Sequence, residues 1–208
     1  MAKSKGIILP NTHKLWVKGF SLGVYSGSFD SFTQKQDFSE LGQAVYEYKY
    51  FRSLPDSRRQ ELVRFFSSRI IQTLRLEEDA ERPNFNSCIG VMPNRNTDSS
   101  LPLELALQLS IKFDWLRDDS NCLIKTKELP VMKNIADHDV RISELKGGYK
   151  VLPGYDFKGV KGFLIIDDIF ETGSTLRELC RTLNHVVPNI PRYVLTLTHL
   201  RSVWSAPR

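Results

Sequence analysis

One stretch constrains this chain more than any other. Phe163-Leu164-Ile165-Ile166 is a short apolar run, Asp167 and Asp168 follow it, and Thr172-Gly173-Ser174-Thr175 opens the next segment. A short, uniformly apolar and β-branched run predicts a parallel strand covered on both faces. The spacing predicts that this strand ends at Ile166 and that the two carboxylates sit at its carboxyl end. In open α/β sheets that end is where ligands bind. The Thr/Gly/Ser loop then opens a helix, whose leading N–H groups and hydroxyls suit a phosphate. Carboxylates one loop away from a phosphate cradle describe a sugar-phosphate site. The plainer alternative is that Asp167 and Asp168 merely end a strand and that Thr172 and Ser174 are ordinary helix caps.

The rest of the chain is read for what surrounds that stretch. Lys14 to Tyr25 reads as one or two strands interrupted by Gly19 and Gly23, and Ser26-Gly27-Ser28 as a turn. Phe38 to Phe51 is compatible with helix or strand. From Ser57 to Glu78 the positions Leu62, Phe65, Phe66, Arg69, Ile70, Thr73 and Leu74 follow helical spacing, with Ser57 as N-cap and Glu61 near capping-box spacing. A polar loop (77–86) leads to a strand at Ser87 to Met92, ended by Pro93. A second polar loop precedes a helix from Leu101 to Phe113, with Pro102 in its first turn. Cys122 to Thr126 reads as a further strand, and Lys127 to Tyr149 as a long irregular segment. A helix over 174–187 and a strand at Tyr193 to Thr198 complete the series. Strands alternating with helices predict an α/β fold built on an open parallel sheet with flanking helices.

Composition narrows the class. With 208 residues, 41% hydrophobic and 25% charged, the chain has room for a full core. No run is long enough to span a bilayer, and Ile7 to Pro10 is too short for a signal-peptide core, so no membrane partner and a cytoplasmic location are expected. Cys88, Cys122 and Cys180 lack metal-ligand spacing and are expected to be buried free thiols. A net charge of +5 permits anionic ligands without demanding nucleic acid.

The 162–176 segment resembles the PRPP-binding signature of the type I phosphoribosyltransferases (PRPP is 5-phosphoribosyl 1-diphosphate). That signature is an apolar strand, two acidic residues, three variable residues and Thr-Gly-x-Thr. Here it reads Asp167-Asp168, Ile169-Phe170-Glu171 and Thr172-Gly173-Ser174-Thr175. The wider order of elements is similar to the ComF-like branch. Tyr46 to Phe51 looks like its early Lys-Tyr segment, Lys125 to Tyr149 lies where it has a flexible loop, and Tyr193 to Thr198 looks like its closing strand. The resemblance implies a phosphoribosyltransferase-like α/β domain over 41–208 and a small strand-rich extension or hood over 1–40. The chain departs from the branch in two places. It carries no cysteine-rich zinc module, and the segment Met92 to Ser100, where the pyrophosphate loop is expected, has Arg95 as its one cation.

The resemblance also implies roles. Asp167 and Asp168 would accept hydrogen bonds from the ribose hydroxyls, directly or through Mg²⁺, a cation that favours few carboxylates plus substrate phosphates. Thr172, Gly173, Ser174 and Thr175 would hold the 5-phosphate. Arg95 would meet the pyrophosphate bidentately, or be an ordinary exposed arginine. Glu171 would contact the nucleophile or act as general base, or be a solvated carboxylate at a helix start. Lys125, Lys127, Lys133, His138 and Arg141 would approach the pyrophosphate from a closing loop, or form a solvated face. Lone histidines such as His138 and His199 are more often structural.

Three functional readings stay open at this level. One is Mg²⁺-dependent transfer of phosphoribosyl from PRPP to a nitrogenous acceptor. Another is a catalytically weak relative that senses PRPP or a nucleotide and acts with a protein partner. A third reading, a component of a DNA-uptake or anti-phage system with a nucleic-acid partner, rests on the ComF-like similarity and the basic balance. Dimers are common in the family, so a homodimer is among the expectations.

Overall fold

A computed structural model describes residues 6–11, 14–30, 35–51, 53–78, 83–93, 100–127 and 138–200. Its centre is a six-stranded sheet built from β1 (Ile7–Ile8), β2 (Lys18–Ser21), β5 (Ser87–Gly90), β6 (Arg117–Asp118), β9 (Phe163–Phe170) and β10 (Arg192–His199). The spatial order is β1-β2-β10-β9-β5-β6. The edge strand β1 is antiparallel to β2, and every other pairing is parallel. The expected α/β architecture with a mostly parallel, helix-flanked sheet is therefore present.

Side-chain alternation along β9 explains why the sheet is covered twice. Leu164 and Ile166 enter one core, where they meet Val45, Phe66, Ile70, Leu105 and Leu109. These come from α1 (Glu40–Tyr50), α2 (Asp56–Leu74) and α3 (Leu101–Lys112). Phe163 and Ile165 enter the opposite core with Leu176, Leu179 and Leu183 of α5 (Ser174–Val186) and with Leu145 of α4 (His138–Leu145). A strand buried on both faces has no polar alternation, which is the pattern its sequence shows.

Several boundaries differ from expectation. The signature strand does not stop at Ile166: it runs to Phe170, because β10 continues to pair with it through Thr196–Asp167, Thr198–Ile169 and His199–Phe170. On the other side β5 pairs only as far as Gly90 with Ile166. The carboxylates thus lie inside a strand toward β10 and beyond the strand end toward β5. Residues 38–51, open between helix and strand, divide at Ser39. β4 (Lys35–Phe38) ends there, and Ser39 caps α1, its Oγ accepting from the Gly42 N–H at 2.9 Å. The helix expected from Ser57 begins at Asp56 behind Pro55, and it ends at Leu74 because Arg75 turns left-handed (φ 53°).

The predicted strand at Cys122 to Thr126 is present as β7 (Leu123–Lys125), but it pairs antiparallel with β8 (Tyr149–Val151) outside the main sheet. A 3-10 turn at Ser120–Cys122, anchored by Asp118 Oδ1 accepting from the Ser120 N–H at 2.9 Å, takes the chain off the sheet edge first. The segment expected to be irregular contains α4, because Leu145 is fully buried against the α5 layer. Within the 1–40 stretch expected as an extension, β1 and β2 are strands of the main sheet. β3 (Ser26–Asp30) and β4 form a hairpin of their own. Cys88, Cys122 and Cys180 are buried free thiols. His199 is buried with Nδ1 3.1 Å from Ser21 Oγ, a contact that ties β10 to β2. Among the described residues no helix is long and apolar enough to cross a membrane.

Candidate ligand-binding site

The turn after β9 shows how local sequence builds a site. Gly173 is the N-cap of α5 with φ 73° and ψ 9°, and no side chain caps that helix. A left-handed N-cap is cheap only for glycine. A Cβ on Gly173 would also stand 2.8 Å from the Phe170 ring, so the position admits no side chain without movement. Thr172 Oγ1 and Ser174 Oγ are 2.7 Å apart, and the Ser174 N–H points weakly back to Thr172 at 3.4 Å. The first-turn N–H groups of an uncapped helix are open to an anion. Ser174 is buried, whereas Thr172, Gly173 and Thr175 are partly accessible.

The carboxylates part company at the strand. Successive residues of a strand point to opposite faces, and the environments of Asp167 and Asp168 agree with that. Asp168 meets α1, where Lys49 Nζ donates to its Oδ2 at 2.6 Å. Asp167 faces the α5 layer, where its charge is felt by the buried Tyr149. Its Oδ1 accepts from the Asp168 N–H at 2.9 Å.

Electrostatics follow from that geometry. Burial, then the charge of Asp168, raises the Asp167 carboxyl from 3.8 to about 7; the Asp168 N–H and Lys49 act in the opposite direction. Burial alone would lower Lys49, but its ion pair with Asp168 outweighs this and holds the ammonium above its ordinary value. Burial, then Tyr50, pushes Tyr25 up to about 12. Tyr149 is raised by burial and by the charges of Asp167 and Glu178, and its hydroxyl is buried with no hydrogen-bond partner among the described residues. At neutral pH Asp167 is therefore only partly ionised, and the Lys49 ammonium stands against the Asp168 carboxylate.

Of the residues singled out in the sequence, Asp167, Asp168, Thr172, Gly173, Ser174 and Thr175 gather at one end of the sheet. Glu171 sits in the same turn, partly buried. Arg95 and Lys133 lie outside the described residues, as do the side chains of His138 and Arg141. Lys125 is described: its Nζ donates to the Pro93 carbonyl, at the start of the segment that carries Arg95, and burial lowers it. Lys49, Tyr25 and Tyr149 were not singled out. For Lys49 a signal existed, since it falls in the Tyr46 to Phe51 stretch. Nothing local marks Tyr25 or Tyr149.

The donor set fits Mg²⁺ in a limited way. Among the described residues no group of three or more His, Cys, Asp or Glu side chains converges on a point. Asp167 and Asp168 face opposite sides of β9, so a single carboxylate with substrate phosphates and water is what would hold Mg²⁺ here. Asp167, which has no ion pair among the described residues as Asp168 has with Lys49, is the better placed. The chain matches no family model and no curated protein.

Proposed function

We propose that this protein binds PRPP at the carboxyl end of β9 and transfers its phosphoribosyl group to a nitrogen nucleophile, on a fold of the type I phosphoribosyltransferase kind. One observation carries this reading. Two carboxylates stand just beyond the end of β5, directly before a glycine-capped helix start that has no side-chain cap. In this reading Asp167, on the α5 side of β9, accepts hydrogen bonds from the ribose hydroxyls, while Asp168, held by Lys49 on the other face, fixes Asp167 through its backbone N–H. The amides opening α5, with the hydroxyls of Thr172, Ser174 and Thr175, hold the 5-phosphate. The bond from the anomeric carbon to pyrophosphate oxygen breaks as the bond to nitrogen forms, and the nucleophile's proton leaves to a base, for which Glu171 is the nearest candidate in sequence. Arg95 is assigned to the departing pyrophosphate. Mg²⁺, when bound, would offset charge on the phosphates. The Lys49–Asp168 ion pair favours a second reading, a binding-only sensor, because it already occupies one carboxylate.

Melting the full chain with and without PRPP and Mg²⁺ tests the reading. A ligand at about a hundred times its Kd adds roughly 2.7 kcal/mol, and for a chain of this size that raises Tm by about 5–10 °C. The Asp167→Asn/Asp168→Asn variant is expected to lose the shift. An unshifted wild type sinks both readings, and a shift without pyrophosphate release in the presence of acceptors selects the sensor. If turnover is seen, Glu171→Gln is expected to cut it about a hundredfold with PRPP binding retained; unchanged turnover removes Glu171 from the mechanism.

A further inference from the structure

The small β7–β8 sheet leaves one edge of β8 unmatched. Its register pairs Leu123 with Val151, Ile124 with Lys150 and Lys125 with Tyr149. At the two ends of this pairing the Leu152 N–H donates to the Cys122 carbonyl at 2.7 Å, and the Thr126 N–H to the Gly148 carbonyl at 3.1 Å. Bonded pairs alternate along an antiparallel ladder, so Gly148, Lys150 and Leu152 turn their backbone groups toward β7. The N–H and C=O groups of Tyr149 and Val151 point the other way. α5 stands on that side, packed more closely against β8 than against β7. Between strand and helix runs an open cleft of about 230 Å³, walled by Tyr149 to Val151 and by Arg181, Thr182, His185 and Val186. Val186 is 49% exposed and Val151 partly so, which gives the cleft apolar surface. Thr182 is buried, and its Oγ1 has no hydrogen-bond partner. Lys150, Arg181 and His185 bring basic groups that reach solvent. The acid beside them, Glu178, is already taken up: it accepts from the Gly147 N–H at 2.7 Å and from Arg181 through Nε at 2.8 Å and Nη2 at 2.7 Å. Positive charge therefore outweighs negative along the cleft.

We propose that this cleft binds an extended, acidic peptide segment of a partner protein, which joins β8 as a third strand. An edge strand with unmatched N–H and C=O groups is a template for a further strand, and strand addition is a recurring way of holding an extended peptide. The guest backbone pairs with the outward groups of β8. Its side chains alternate, so one set meets Val151 and Val186 while acidic side chains meet Lys150, Arg181 and His185. With only Tyr149 and Val151 turned outward, few strand hydrogen bonds form. Charge complementarity therefore selects the guest. The cleft shares no residue with the Asp167 to Thr175 end of the sheet, so the proposal stands apart from the sugar-phosphate reading.

Fluorescence anisotropy of the full chain with a labelled hexapeptide of alternating valine and glutamate tests this. The peptide is expected to bind about tenfold or more tightly than its counterpart with lysine in place of glutamate. Methylating every backbone nitrogen of the peptide keeps its charge but removes strand hydrogen bonds, and is expected to cost about tenfold. Val151→Pro removes the outward N–H at a strand edge, where proline is admitted, and is expected to cost as much. Lys150→Glu reverses an exposed charge, is expected to leave Tm within about 2 °C of wild type, and is expected to weaken the peptide about tenfold; it carries the test if the proline variant does not fold. No saturable binding below about 1 mM, or an affinity unchanged by Lys150→Glu, overturns the proposal. Equal binding of the methylated peptide reduces the contact to charge and overturns strand addition. A wild type that is dimeric by light scattering and monomeric as Lys150→Glu gives the edge to a second copy of this chain and overturns the partner segment.

Discussion

Gly42→Ala is expected to lower the melting temperature by about 6–12 °C, the equivalent of roughly 3 kcal/mol in a domain of this size. Gly42 lies in α1, where alanine would ordinarily stabilise a helix. Here the propensity is overridden by contact. A Cβ on Gly42 would fall 1.6 Å from the Tyr25 carbonyl oxygen and 2.6 Å from its carbonyl carbon. Both obstacles are backbone, so no rotamer change relieves them. The Tyr25 backbone is itself held, its carbonyl accepting from the Ser39 N–H at 3.3 Å and its N–H donating to the His199 carbonyl at 2.8 Å. Either α1 must move off the sheet or the 24–25 segment must leave β10. Because α1 carries Lys49, the same substitution is expected to weaken any ligand that uses Asp168. A melting curve within a degree or two of wild type would show that the close approach is not maintained in solution.

The second large effect is a pH dependence of unusual sign. A paired carboxylate normally adds stability as pH rises; Asp167 is expected to do the reverse. Its folded value, about 7, lies above the ordinary 3.8. Between those values the folded protein keeps a proton that the unfolded chain has released. The unfolded state then binds fewer protons, so stability falls as pH rises through this window and levels off above about 7. The full contribution is present below the unfolded value. The slope within the window is on the order of 1 kcal/mol per pH unit. Denaturant unfolding of wild type and Asp167→Asn at about pH 5 and about pH 8 isolates the effect, since other titrating groups are common to both. Asparagine keeps the shape without the charge, so the variant is expected to gain on the wild type at the higher pH. A gap between the two proteins that does not change with pH would refute the shift. The protonated carboxyl is also a hydrogen-bond donor, so binding at this site is expected to change character across the same window.

Both effects arise from long-range packing, which is why neither was visible in sequence. The central strand and the helix after it were legible: Phe163 to Ile166 reads as doubly buried and is, and Thr172 to Thr175 reads as a helix opening and is. The end of that strand was not legible, because β10 extends the pairing by backbone hydrogen bonds that do not depend on side-chain pattern. β7 read correctly as a strand, yet its partner is β8 and not the sheet, since strand propensity does not name a neighbour. Residues 38–51 were ambiguous because aromatic residues suit both states; Ser39, bonded to Gly42 and to the Val24 carbonyl, resolves them.

By itself the sequence determined the strand–turn–helix unit from Phe163 to Val186. It did so because apolar runs, a glycine that must turn left-handed and a helix start are local properties. The tertiary structure alone decided that Asp167 and Asp168 lie on different faces, that Lys49, distant in the chain, pairs with one of them, and that burial raises the other toward neutral pH. It also decided that Phe38, Tyr46 and Tyr50 pack ring against ring along α1. Charge, burial and ring stacking depend on which surfaces meet, and that is settled only when the sheet and its helices close on one another.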